Sequence, residues 1–135
     1  MAVAKGPGVV SVLTLTFAAG GDLSSDQFKA VKLSADRKVI LCTGVTDKPI
    51  GILQNKPDAA EKAAEVMLLG VTKVNSDIAL SAGNLISTQS DGQLQIVTPG
   101  SETTEYIIGQ VLFASGAAGE RAEAAVNCIN IARAA

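Results

Sequence analysis

The segment Pro49-Ile50-Gly51-Ile52-Leu53-Gln54-Asn55 decides the fold, because its pattern of apolar residues around a glycine returns later in the chain. The second copy is Tyr106-Ile107-Ile108-Gly109-Gln110-Val111-Leu112, and the two glycines lie 58 residues apart. Branched apolar residues around one glycine favour a strand that another backbone approaches closely. We therefore predict two related halves, in which Gly51 and Gly109 are equivalent structural glycines.

The residues before each copy extend this correspondence. Gly21-Asp22-Leu23 precedes a predicted strand and an Asp turn, and Gly83-Asn84-Leu85 precedes a strand and an Asp-Gly turn. The glycines that begin these segments lie 62 residues apart, whereas Gly51 and Gly109 lie 58 apart. Because the spacing drifts, the duplication is a hypothesis at this point.

Short runs of β-favouring residues separated by turn residues recur along the chain. A strand begins at Val9, and hairpin turns follow at Asp36 and at Ser90-Asp91-Gly92-Gln93, where Asp-Gly suits a type I′ turn. One strand is predicted from Tyr106 to Phe113 and a last one from Val126 to Ile131, although residues 122–135 also fit an alanine-rich helix. About nine short strands without strand–helix alternation predict an all-β fold, a small barrel or sandwich.

Length and composition indicate one folded unit. A chain of 135 residues is long enough for one hydrophobic core, and with only 3% aromatic residues that core is thin. A thin core favours an oligomer that buries more apolar surface. We predict a flexible N-terminal arm, residues 1–8, and a single β domain, residues 9–135.

Charge and cysteine content exclude several classes of partner. The net charge is −2 and basic residues form no run longer than the pair Arg37-Lys38, so nucleic-acid binding is not expected. No apolar run approaches the roughly 18 residues of a membrane-spanning helix, so we expect no membrane partner and synthesis in the cytoplasm. Cys42 and Cys128 are interpreted as free buried thiols, with a disulfide between the halves as the alternative.

The sequence lacks the residues of an active site. It contains no histidine, which removes the commonest general base and metal ligand. The aspartates lie in predicted turns, where Asx hydrogen bonds explain them. No nucleophile elbow or phosphate-binding loop is present. We therefore predict no enzyme activity, no catalytic residue, no metal and no cofactor.

Six segments carry a resemblance to a known family. The most specific is Gly51-Ile52-Leu53-Gln54-Asn55-Lys56-Pro57, and the others are Gly21-Asp22-Leu23, Phe28-Lys29-Ala30-Val31-Lys32-Leu33, Leu69-Gly70-Val71-Thr72-Lys73-Val74, Gly83-Asn84-Leu85 and Ile108-Gly109-Gln110-Val111. Together they resemble the small capsid decoration (cement) proteins of tailed bacteriophages. The resemblance covers most of the chain, from Gly20 to Ile131.

This resemblance implies a structural virion protein without catalytic residues. Such a protein binds the outer surface of an icosahedral head and clamps neighbouring major capsid protein subunits, after synthesis in the host cytoplasm. A homo-oligomer is implied, with a trimer expected and a dimer as the alternative. Family members often use a terminal arm to add a strand to capsid protein, so the candidate capsid-binding residues are Ala2, Val3, Ala4, Lys5, Gly6, Pro7, Gly8, Val9 and Val10.

Two other functions are compatible with the composition. A host- or glycan-binding protein of the head surface is one, although sugar sites usually require exposed aromatic residues and the chain has four aromatics. A small enzyme domain of the β-clip or barrel type is the other, and the missing histidine argues against it.

Overall fold

The computed structural model describes residues 8–135, and every regular element in this range is a β-strand. The predicted all-β fold class is confirmed. Within the same range, no helix is long and apolar enough to cross a membrane. The strands are β1 (Val10–Ala19), β2 (Ala30–Ala35), β3 (Lys38–Leu41), β4 (Gly51–Leu53), β5 (Ala63–Asn75), β6 (Leu85–Thr88), β7 (Leu94–Ile96), β8 (Tyr106–Ile107), β9 (Gly109–Phe113), β10 (Arg121–Asn127) and β11 (Ala132–Arg133).

Nine strands form one mixed sheet with the order β1-β3-β2-β4-β5-β10-β9-β6-β7, in which β1 also pairs with β5. The first five strands of the chain therefore close into a ring, since each pairs with two others in the order β1-β3-β2-β4-β5 and back to β1. Closure satisfies most backbone edges of a small sheet. We call this ring the first barrel.

The other strands of the sheet repeat this arrangement. β5 pairs with β10, β10 with β9, β9 with β6 and β6 with β7. A parallel bridge between Ser76, which directly follows β5, and Leu94 in β7 closes this second barrel. β5 serves both rings, because its residues 63–71 pair with β1 and its residues 69–75 pair with β10. The two barrels are thus joined by one shared strand of 13 residues.

The register of the pairings shows that the barrels correspond strand by strand. Val31 pairs with Gly51 in the first barrel, and Ile86 pairs with Gly109 in the second. The successive strands β1, β2, β3, β4 and β5 of the first barrel correspond to β5, β6, β7, β9 and β10 of the second. The duplication inferred from the sequence is therefore present in the strand pairing.

The entry to each barrel differs from the prediction. The equivalent of Gly83 is Phe28 and not Gly21, since Phe28 and Gly83 each lie two residues before the corresponding strands β2 and β6. Both have positive φ, 67° for Phe28 and 91° for Gly83. The left-handed conformation is retained at this point while the glycine is not, which is why matching glycines gave a drifting spacing.

The predicted single strand from Tyr106 to Phe113 is wrong. β8 pairs with β11, whereas β9 pairs with β10 and β6. Ile108 separates β8 from β9; it is buried, and its N–H donates to the carbonyl of Ile86 at 3.0 Å. The strand divides because its two parts serve different sheets.

The last main strand lies earlier than predicted, and the alanine-rich helix is also wrong. β10 spans Arg121–Asn127, in which Ala122, Ala124 and Val126 are buried at every second position. This period of two is the signature of a strand, but alanine has a weak β preference and conceals it. Tertiary packing therefore overrides the helical propensity of alanine here.

The hairpin between β6 and β7 forms where predicted, but its turn is not type I′. Gly92 has a φ of 80°, whereas Asp91 lies outside the positive-φ region that a type I′ turn requires at both central positions. The connection is a five-residue loop between Thr88 and Leu94, which pair with each other. In the first barrel the equivalent positive φ belongs to Arg37, at 54°.

Each barrel has its own hydrophobic core, and the core positions correspond. Phe17 and Leu53 belong to the first core, and their equivalents Val74 and Val111 belong to the second. The first core contains Phe17, Ala19, Leu23, Val31, Val39, Leu53, Ala64, Val66 and Leu68. The second contains Ala30, Cys42, Ile52, Met67, Val74, Leu80, Ile86, Leu94, Ile108, Val111, Ala122, Ala124, Val126 and Cys128.

Candidate interaction surface

The predicted capsid-binding segment lies only partly within the described chain. Ala2, Val3, Ala4, Lys5, Gly6 and Pro7 fall outside the described residues, whereas Gly8, Val9 and Val10 fall within them. The N–H of Gly8 donates to Oε2 of Glu123 at 2.8 Å. This bond places the start of the described chain beside β10. The proposed contact with a capsid stays a prediction for these residues.

β1 has one paired edge and one free edge. On one side, residues 10–18 pair with β5. On the other side, only Ala18 and Ala19 pair with β3, where the Ala18 N–H donates to the carbonyl of Arg37 at 2.8 Å. Within residues 8–135 no strand pairs with residues 10–17 along that second edge. We call it the free edge of β1.

The side chains of β1 at this end divide between core and solvent. Leu13 and Leu15 pack against the first core, as their alternation predicts. Val10 and Val12 are 66% and 70% exposed. No residue from Gly6 to Gly21 carries a charge. An uncharged strand with an open backbone edge and exposed valines is the kind of element that proteins usually protect, because it pairs readily with other chains.

Arg37 bounds the free edge at its carboxyl-terminal end. Its Nη2 donates to the carbonyl of Thr16 at 2.6 Å, and its guanidinium stacks over the ring of Phe17 at 4.8 Å. Among the described residues, no carboxylate forms an ion pair with Arg37. The guanidinium is therefore a cation beside the edge that lacks an acidic partner there.

Gly51 and Gly109 lie where two backbones cross closely. A Cβ on Gly51 would lie 2.3 Å from the carbonyl oxygen of Met67, and a Cβ on Gly109 would lie 2.3 Å from that of Ala125. Met67 and Ala125 are themselves equivalent positions of β5 and β10. Both glycines thus permit the same strand crossing, and neither lies beside a group that could bind a ligand through its charge.

The turn aspartates make the local hydrogen bonds that the sequence predicts. Asp22 accepts from the N–H and the hydroxyl of Ser24 at 2.9 and 2.6 Å. Asp47 accepts from the N–H of Thr43 at 2.8 Å and from Nζ of Lys32 at 2.7 Å. Within the described residues, no three cysteine or acidic side chains converge to hold a metal ion.

Two carboxyls in equivalent connecting loops have opposite electrostatics. Burial opposes ionisation of Asp47, but the hydrogen bonds from Lys32 and from two backbone N–H groups outweigh it, and its pKa is lowered. Burial raises the pKa of Glu105, and the nearby Glu102 carboxylate adds to the effect. Glu105 is 6% exposed, and its Oε1 accepts from Nε2 of Gln95 at 2.8 Å. Both carboxyls hold loops in place.

The two cysteines are free thiols within the second core. Burial raises the pKa of Cys42 and of Cys128 to about 12. A thiol with so high a pKa is uncharged at neutral pH and a poor nucleophile. Both therefore act as small apolar core residues.

Two apolar grooves lie on the surface outside the barrels. One, of about 450 Å³, is lined by Leu69, Val71, Ile107 and Ala125 among others. The second, of about 460 Å³, lies beside the β3–β4 loop. Sequence patterns gave no signal for either groove, because each combines residues that are distant in the chain. The second is lined by Lys32, Leu33, Lys48, Pro49, Ile50, Cys128, Ile129 and Ile131.

Comparison with known proteins identifies a relative in fold. The chain is similar to a solved structure described as the head fiber gp8.5 N base in bacteriophage phi29, with a TM-score of 0.63. The two are 13% identical, and the alignment covers 86% of this chain and 94% of that one. No protein-family model and no curated protein matches the chain. The likeness at this identity concerns the fold, and the resemblance to decoration proteins stays a prediction.

Proposed function

We propose that the protein is a structural component of a bacteriophage virion that binds the outer surface of the head and cements neighbouring major capsid protein subunits. The observation that carries this proposal is the fold shared with a phage head fiber base over most of both chains. It agrees with the sequence resemblance to decoration proteins, although the two rest on different residues.

The chemistry of the described surface supports a binding role. The turn aspartates are occupied by local hydrogen bonds, and both thiols are buried and protonated. What the surface offers is a free strand edge with exposed valines and apolar grooves. Such features bind protein surfaces through main-chain hydrogen bonds and apolar contact.

We further propose that the protein acts as a homo-oligomer, a trimer in preference to a dimer, and that residues 2–10 contact the capsid. Each barrel has a thin core, and an oligomer would bury more apolar surface. Many weak contacts per particle add through effective concentration, so a modest affinity per subunit suffices to hold a shell together.

Sedimentation of the purified protein with heads that lack it tests the proposal. We expect saturable binding and a higher temperature of head disruption, because a ligand that binds only the assembled head stabilises it by mass action. Binding without any rise in that temperature would remove the cementing role. Absence of binding would remove the head location altogether.

A second candidate is a head-surface protein that contacts the host or a glycan. The observation in its favour is that the structural neighbour is a fiber component rather than a cement protein. Binding of the purified protein to host cells or to a glycan array, together with unchanged stability of decorated heads, would favour this candidate.

A further inference from the structure

The second barrel shows what covers the edge that is free in the first. β5 is the equivalent of β1, and both of its edges are paired, with β10 on one side and β1 on the other. The strand on the second side runs antiparallel. In β1 the equivalent stretch, residues 10–14, has no neighbour within residues 8–135. The repeat therefore indicates an antiparallel strand as the missing neighbour of β1.

The free edge lacks the features that prevent strand addition. Natural edge strands are commonly protected by a charged side chain, a proline or a covering element. β1 has neither a charge nor a proline between Val10 and Ala19. The exposed side chains of Val10 and Val12 would instead gain apolar contact when a strand is added.

A second copy of β1 fits this edge poorly. The ladder between β1 and β5 shifts register between Ser11 and Leu13 and again between Leu13 and Thr14. Two-fold pairing of residues 9–15 with themselves would centre on Val12 and place both irregular stretches opposite each other. A strand with a different sequence can follow the irregular edge without this mismatch.

Arg37 adds a preference for charge. It lies at the Thr16 end of the edge and has no ion-pair partner among the described residues. A carboxylate at the corresponding end of an incoming strand would pair with the guanidinium in a bidentate geometry.

We propose that the free edge of β1, residues 10–16, accepts an extended segment of the capsid protein as an antiparallel strand, uncharged opposite Val10 and Val12 and acidic beside Arg37. This inference rests on the proposed attachment to the head, and it names the docking element and the chemistry of its partner. It differs from the arm contact, because the edge lies in β1 and does not require residues 1–7.

Hydrogen exchange on the intact protein, free and bound to heads, tests the inference directly. We expect exchange of the peptide that covers residues 9–16 to slow at least about tenfold on binding, because outward N–H groups become hydrogen-bonded. Unchanged exchange of this peptide in protein that is bound to heads would overturn the inference while leaving head binding intact. Slowing that appears in the free protein as its concentration rises would assign the edge to a second copy and would also overturn it.

Two variants and one control complete the test. Val12→Lys places a charge on the free edge and should weaken head binding at least about tenfold, and Arg37→Glu should weaken it about threefold or more. Ile78→Lys is the matched control, since Ile78 is also exposed (52%) but lies in a loop, and its binding should stay within about twofold. Equal binding by Val12→Lys and Ile78→Lys, with both folded by circular dichroism, would contradict the proposed docking element. If the unmodified protein does not bind heads, the proposed function fails first.

Discussion

The two barrels share one set of strand pairings but differ in what surrounds their first strands. β5, the first strand of the second barrel, is paired along both edges, whereas β1 keeps one edge open. The cores also differ, since Phe17 corresponds to Val74, and Val31 and Val39 correspond to Ile86 and Leu94. A loss of volume at one position accompanies gains at others, so one backbone accepts two sets of residues.

This comparison separates the features that build the repeat from those that distinguish its copies. Pairing register, the close crossing at the glycines and the positive φ before the second strand are common to both barrels. The free edge and the charge of the β3–β4 loop belong to the first barrel, and the buried Glu105 belongs to the second. Each of the following predictions tests one of these assignments.

The largest effect is expected from adding a methyl group at either strand crossing. Gly51→Ala and Gly109→Ala should each lower the free energy of unfolding by about 4 kcal/mol or more, because the new Cβ would lie 2.3 Å from a backbone oxygen. Urea denaturation measures the change. Gly21→Ala is the control, with open space around its Cβ and a change within about 0.5 kcal/mol. A large difference between Gly51→Ala and Gly109→Ala would break the equivalence of the barrels.

A core truncation in one barrel should affect both. Leu94 is fully buried in the second core, so Leu94→Ala should lower the free energy of unfolding by about 3 kcal/mol. Because β5 belongs to both barrels, we expect calorimetry to show one unfolding transition at a lower temperature. Two separate transitions in this variant would show that the barrels unfold independently.

A smaller effect is expected where strain acts without a clash. Gly83→Ala should lower the free energy of unfolding by about 1 kcal/mol, because φ is 91° and nothing lies within 4 Å of the added Cβ. Phe28 tolerates the equivalent conformation while its ring lies 5.6 Å from the guanidinium of Arg121. A loss as large as that of Gly109→Ala would show that the crossing glycines are not special.

The two loop carboxyls should give pH effects of opposite sign. The pKa of Asp47 is lowered on folding, so its stabilisation is present above the ordinary aspartate pKa and is lost as pH falls through its folded value. Asp47→Asn should therefore lower the free energy of unfolding by about 1 kcal/mol at pH 7 and have little effect at pH 2.

The pKa of Glu105 is raised, so its contribution is present below the ordinary glutamate pKa and is lost as pH rises through the folded value. Glu105→Gln should remove that loss and leave the protein equally or slightly more stable at pH 7. Thermal melts of both variants between pH 2 and 8 measure the two trends, and parallel pH profiles would contradict the assigned electrostatics.

Much of this fold follows from local sequence patterns, but the boundaries of its elements do not. The alternation of Leu13, Leu15 and Phe17 predicts β1, and the Asp-Gly pair predicts the hairpin between β6 and β7. The alanines of β10 favour helix by propensity, and only their burial against β5 and β9 makes them a strand. The break at Ile108 is likewise absent from the local pattern, because it depends on two different partner sheets.

The candidate surface was predicted in part. Its residues Val9 and Val10 belong to the segment that the sequence selects, while Val12 and Arg37 do not. A strand edge becomes free only when the fold has assigned every other pairing, and no residue type encodes that outcome.

The sequence by itself determined the all-β class, the duplication and the two glycines at its centre, because strand alternation and the need for a missing Cβ are local properties of the chain. Only the tertiary structure decided that the halves are closed barrels joined through β5, that Phe28 stands where Gly83 does, and that β1 keeps an open edge. These outcomes depend on which distant strands meet, and hydrogen-bond pairing between strands is specified by the whole set of partners rather than by any one of them.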